Sequence, residues 1–94
     1  MPYINKTDRE RIDEESIRRL SIDISNIPSG KIKGALNYVV SRLALQVYGT
    51  ESYTSISDGI AALQDAADEI KRRTLSKVED KAIGKNGDLP EYVQ

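Results

Sequence analysis

The chain has 94 residues, with 14 Lys and Arg against 15 Asp and Glu, and it contains neither cysteine nor histidine. That composition excludes disulfides, zinc thiolate centres, cysteine nucleophiles and every catalytic device built on an imidazole, so any chemistry rests on carboxylates, Lys, Arg, Tyr or a hard cation. A single domain of this length buries roughly 60 to 65% of the surface of its unfolded chain. Without Phe or Trp its core is thin, and self-association is the natural remedy.

Residues 1–6 read as an extended N-terminal arm, because Pro2 disfavours a helical start while Tyr3 and Ile4 offer apolar surface. Thr7 followed by Glu10 is a capping-box pattern, and Ile17, Leu20, Ile24 and Ile27 recur at helical spacing, which predicts a first helix from about Asp8 to Ser25. Asn26 to Gly30 ends it through Pro28 and Gly30. The positions Ile32, Leu36, Val39, Val40, Leu43, Ala44 and Val47 form a broad apolar stripe. They predict a second helix from Ile32 to Tyr48, a core element that stops at Gly49. Gly34 marks either a later start of that helix or a close backbone contact.

Thr54, Ser55, Ser57 and Asp58 are candidate caps for a third helix. Its stripe is Ile56, Ile60, Leu63, Ala67, Ile70 and Thr74, with Val78 one turn on, and it is uninterrupted from Ile56 to about Ile83. A helix of ~28 residues is ~42 Å long, more than so small a monomer covers. It therefore bends, ends near Thr74, or is covered by a second copy. Asn86-Gly87 and Pro90 make residues 85–94 a turn and an arm. The expected fold is all-α: one domain over residues 1–94, a small bundle of about three helices with extended arms, assembled into a homo-oligomer. No apolar run reaches the length of a signal peptide or a membrane span, so the expectation is a cytoplasmic protein without membrane contact.

Four constellations carry possible chemistry. Asn37, Tyr38 and Arg42 lie beside the apolar stripe and present an amide, a phenol and a guanidinium along one flank. They suit either a ligand ring with polar edges or anchoring against another helix. Lys71, Arg72 and Arg73, with Lys77 and Lys81 beyond, form a basic strip able to hold phosphate, or a solvated helix face. Glu79 and Asp80 dilute that strip, and the overall charge nearly cancels, so one or two phosphates fit better than a nucleic acid. Asp65, Asp68 and Glu69 fall within about one turn and offer Mg²⁺ one or two carboxylates. Against a metal site, the Ile32 to Tyr48 helix supplies no acid from the opposite side, and the same acids make ordinary pairs with Arg72 and Arg73. Ser29-Gly30-Lys31 resembles the end of a phosphate loop but lacks its preceding glycine and strand.

Taken together, Pro2-Tyr3-Ile4, Leu36-Asn37-Tyr38-Val39-Val40 with Arg42-Leu43, Ala62-Leu63 to Glu69, Arg72-Arg73, and Glu79-Asp80-Lys81 to Asn86-Gly87-Asp88 resemble a family of small uncharacterised proteins of tailed phages and prophages. Ala35, Lys71 and Val78 depart from that family's pattern, which often has Glu, an aromatic and Tyr there. A catalytic acid at position 35 and aromatic stacking at 71 and 78 are therefore not expected. The resemblance implies a phage-type accessory protein acting in the host cytoplasm, and no mechanism.

The expected function is a binding module that needs no cofactor and no metal. In it a nucleotide-like anionic ligand is held at subunit junctions by Asn37, Tyr38, Arg42, Lys71, Arg72 and Arg73, to counter host immunity. Two alternatives stand beside it. One is an Mg-dependent helical nucleotide hydrolase built on Asp65, Asp68 and Glu69, and the other an inhibitor that binds a host protein through apolar and tyrosine surface.

Overall fold

A computed structural model describes residues 4–93. Among them the chain is all-α, without strands: a single turn α1 (Lys6–Arg9), then α2 (Glu14–Ser25), α3 (Ile32–Tyr48), α4 (Tyr53–Ile70) and α5 (Ser76–Asn86). A π-helical segment, Lys71–Leu75, joins α4 to α5, and short 3-10 turns occupy Ser29–Lys31 and Pro90–Tyr92.

Four helices longer than one turn replace the expected three, because the long C-terminal helix is divided by its π-helical segment. It is nonetheless helical throughout from Tyr53 to Asn86. At 1.5 Å per residue such a rod is about 50 Å long, and the longest dimension of the molecule is 50 Å. Inside the π segment the Ser76 N–H and the Ser76 hydroxyl both donate to the Lys71 carbonyl, five residues back, the hydroxyl at 2.9 Å. The serine thereby satisfies a carbonyl that the widened turn displaces from its α-helical partner.

The first helix also differs from its expected span. Asp13 starts a new helix by accepting from the Glu15 N–H at 3.2 Å and from the Ser16 hydroxyl at 2.8 Å. The preceding turn is capped by Asn5, whose Oδ1 accepts from the Asp8 N–H at 2.8 Å, so the Thr7 and Glu10 capping box does not form. Ser52 caps α4 in place of the residues from Thr54 onward, accepting from the Ser55 N–H at 3.1 Å, and the helix begins three residues before Ile56. Gly49 ends α3 at φ +82° and Gly87 ends α5 at φ +88°, both in the region that a β-carbon disfavours. Helix α5 therefore runs to Asn86, into the expected C-terminal arm. Gly34 is an ordinary interior residue of α3 with open space where a β-carbon would stand, so neither expected role applies. Of the N-terminal arm, residues 1–3 lie outside the described residues.

Helices α3 and α4 pack as an antiparallel hairpin, and α2 leans on α3; α5 continues the rod beyond the π segment. Gly59 is the one buried residue among those described, and the Tyr48 ring lies over it. No hydrophobic side chain is buried among the described residues. The α3 stripe expected to form a core is divided. Val39, Val40 and Ala44 are half-buried against neighbours, whereas Leu36, Leu43 and Val47 are 51%, 47% and 75% exposed.

The dimensions agree with that open packing. The radius of gyration is 17.5 Å, against about 12 Å for a compact domain of this length. The accessible surface is 8474 Å², about 3,000 Å² more than a folded monomer of this mass exposes.

Candidate functional site

The feature in which aromatic, cationic and apolar groups converge lies between α2 and α3. Tyr38 and Arg42 are one turn apart on α3, which places their side chains on the same face. The Arg42 guanidinium carbon lies 5.7 Å from the centroid of the Tyr38 ring, and one of its terminal nitrogens donates to the phenolic oxygen at 3.2 Å. The guanidinium thus spans ring face and hydroxyl together, an arrangement that fixes both side chains without burying either. Beneath them Leu20 of α2 and Val39, Leu43 and Gln46 of α3 complete a shallow groove of about 260 Å³. Its floor is apolar, its lip carries a positive charge, and Tyr38 is 61% exposed above it.

Asn37 belongs to a different flank. Its Oδ1 accepts from the Ser41 hydroxyl at 3.3 Å, one turn along α3, and it does not line the groove. Of the six residues expected to bind a ligand, then, Tyr38 and Arg42 are brought together and Asn37 points along the helix.

Lys71, Arg72 and Arg73 lie in the π-helical segment and do not line that groove. The Arg72 guanidinium hydrogen-bonds Glu69, and Arg73 Nε stands 3.9 Å from the same carboxylate. The Glu69 side chain is only 15% exposed, whereas Arg72 and Arg73 are 67% and 58% exposed. Glu69 therefore acts as an anchor that holds two guanidinium groups along the outside of the rod. Its commitment to both arginines removes it from the acidic trio Asp65, Asp68 and Glu69. Among the described residues no group of three or more acidic side chains is placed to hold a metal ion. The Ser29–Lys31 segment is a single 3-10 turn closed by the Lys31 N–H on the Pro28 carbonyl at 2.7 Å, and it leads directly into α3.

Leu20 and Gln46 are contributors to the groove that sequence pattern did not single out. Leu20 belongs to a helical stripe whose bland interpretation is core, and nothing in spacing alone says which α3 residues it meets. A second, almost wholly apolar groove of about 270 Å³ separates α3 from α4 near Tyr48 and Gly59, with Ala44, Leu45, Ile56 and Ile60 on its walls. No helix among the described residues is long and apolar enough to cross a membrane.

Comparison with known proteins gives one positive result. No curated protein and no solved structure matches the chain. The family model described as domain of unknown function (DUF6899) matches residues 1–89, nearly the whole length, and the chain is a member of that family.

Proposed function

We propose that the protein is a phage-type binding module that works as an assembly of identical chains and holds a nucleotide-like anion where the subunits meet. The observation that carries this reading is the open surface: about 3,000 Å² beyond that of a compact monomer. An excess of that size is within the range buried by obligate assemblies. Large apolar groups such as Val47 at 75% and Tyr53 at 87% exposure are what an interface core would contain.

The ligand class follows from the α2–α3 groove. An apolar floor takes the face of a planar ring, Tyr38 offers stacking, and the Arg42 guanidinium supplies forked donors to a phosphate. In an assembly, cations of the π segment from a neighbouring copy are the natural complement to Arg42. Resemblance to small tailed-phage proteins supports a setting in the host cytoplasm, where capture of a nucleotide signal would counter host immunity.

Isothermal calorimetry of the full chain against mono-, di- and cyclic nucleotides tests the proposal. Binding is expected for at least one, with affinity falling at least tenfold in Tyr38→Ala and in Arg42→Ala. No heat across the panel overturns the ligand assignment. Consumption of a nucleotide that depends on Mg²⁺ and on Asp68 would replace it with the hydrolase alternative. A sedimentation profile showing a monomer at high micromolar concentration would remove the assembly.

A further inference from the structure

The π-helical segment sits at the one place where the apolar spacing of the C-terminal rod slips. Ile56, Ile60, Leu63, Ala67 and Ile70 alternate steps of four and three residues, the spacing of a coiled-coil seam. Continued without interruption, that alternation falls on Thr74, Lys77 and Lys81. It resumes instead one residue later, on Leu75, Val78 and Ala82. In an unbroken α-helix Leu75 would stand roughly 140° around the axis from Ile70. A π turn accommodates one extra residue, which returns Leu75 to within about 40° and Val78 to within about 20° of Ile70. The distortion therefore makes one continuous stripe out of two that an α-helix would leave on different faces.

The first half of the stripe faces α3, with Ile56, Ile60 and Leu63 on the groove between the two helices. The second half is largely uncovered among the described residues. Ile70 is 64%, Leu75 46% and Val78 61% exposed. Helix α3, with 17 residues, is about 25 Å long and reaches along only half of the rod.

We propose that this second half is an antiparallel, two-stranded contact with a second copy of the chain, centred between Leu75 and Val78. The proposal deepens the assembly reading above and rests on it. Two observations select the occupant and its direction. A standard interface buries about 800 Å² per partner, well within the surface this chain leaves open. The charges flanking the stripe are self-complementary in one direction only. Lys71 follows Ile70, Glu79 follows Val78, and both occupy the same edge of the seam. Antiparallel pairing about that centre sets Lys71 of each chain against Glu79 of the other, twice over. Parallel pairing sets Glu79 against the Thr74 edge, and offers Lys71 only Ala66.

Sedimentation equilibrium of the full chain, with helicity followed by circular dichroism, provides the test. Val78→Asp is expected to raise the dissociation constant at least tenfold, whereas Ile83→Asp, off the stripe, leaves it within about twofold. Deleting Thr74 removes the extra residue, so that an unbroken α-helix carries Leu75, Val78 and Ala82 on the same seam with no π turn. It should leave association within about threefold of the parent with helicity retained, and a tenfold loss there would overturn the continuous stripe. Lys71→Glu weakens association severalfold, and adding Glu79→Lys restores it. An oligomeric parent protein indifferent to Val78→Asp overturns the seam but leaves the assembly standing. Loss of association in Lys71→Glu without rescue by Glu79→Lys overturns the antiparallel direction. A parent chain that stays monomeric overturns both the seam and the assembly.

Discussion

Gly59 of α4 lies under the Tyr48 ring of α3, and enlarging it measures how tightly the hairpin is set. A β-carbon at this position would lie 3.2 Å from Cδ2 and 3.6 Å from Cγ of Tyr48. Alanine therefore needs the ring to yield by a few tenths of an ångström, and Tyr48 at 39% exposure has open space on one side into which it moves. The cost is opposed by the helix propensity of Ala over Gly, about 1 kcal/mol in a helix interior. The two effects nearly cancel, and Gly59→Ala should change stability by less than about 1 kcal/mol. Valine adds two methyl groups to the same contact with no further gain in propensity, so overpacking governs and the loss should be about 2 kcal/mol. With a urea m-value of about 1 to 2 kcal/mol/M for so small a domain, the midpoint falls by about 1 to 2 M. Urea unfolding followed by circular dichroism reads this, at one fixed protein concentration because association adds to apparent stability. Repeating Gly59→Val in a Tyr48→Ala background should recover most of the loss. A Val variant as stable as the Ala variant, or a loss unchanged without the Tyr48 ring, would refute the close approach as its cause.

Three further outcomes follow from the local geometry. Ser52→Ala removes the acceptor for the Ser55 N–H at the start of α4 and should cost about 1 kcal/mol in the same urea assay, with Ser52→Asp close to neutral. Gly49 combines φ +82° with ψ −177°, a conformation open in practice to glycine alone, so Gly49→Ala should cost about 1 to 3 kcal/mol even though no atom stands in the way of its β-carbon. Arg42→Ala breaks the exposed contact with Tyr38 and should lower stability by no more than about 1 kcal/mol while lowering the proposed nucleotide affinity at least tenfold; a larger loss of stability would make Arg42 a structural anchor instead.

Helix α3 was legible to the residue at both ends because a long apolar stripe and a C-terminal glycine are local signals, and local signals survive the absence of a core. Helix α2 was harder. Its start depends on the Asp13 carboxylate outcompeting Thr7 and Glu10, a contest between two acceptable caps that spacing does not decide. The π segment was legible only as a five-residue step from Ile70 to Leu75, which an eye fitted to α-helical spacing passes over in favour of Thr74. At the candidate site, pairing of Tyr38 with Arg42 follows from their separation by one turn. The separation of Asn37 from them does not, since it depends on which side of α3 receives α2. The attachment of Arg72 and Arg73 to Glu69 was readable from sequence, because helix geometry imposes it before any tertiary contact forms.

The four-residue connection Gly49 to Ser52 between α3 and α4 bears on the order in which the molecule is made. Tertiary contacts join sequential neighbours, α2 with α3 and α3 with α4, so almost nothing in the free chain waits on the closure of a long loop. Each subunit should reach its helical form on the timescale of microseconds to milliseconds typical of local topologies. In the proposed assembly the slow phase of refolding is the meeting of two chains, with a rate that rises in proportion to protein concentration while the early helical phase stays constant. A freshly synthesised subunit would pass through a helical interval as a lone hairpin with its rod uncovered. In that interval its concentration sets how soon a partner covers the rod.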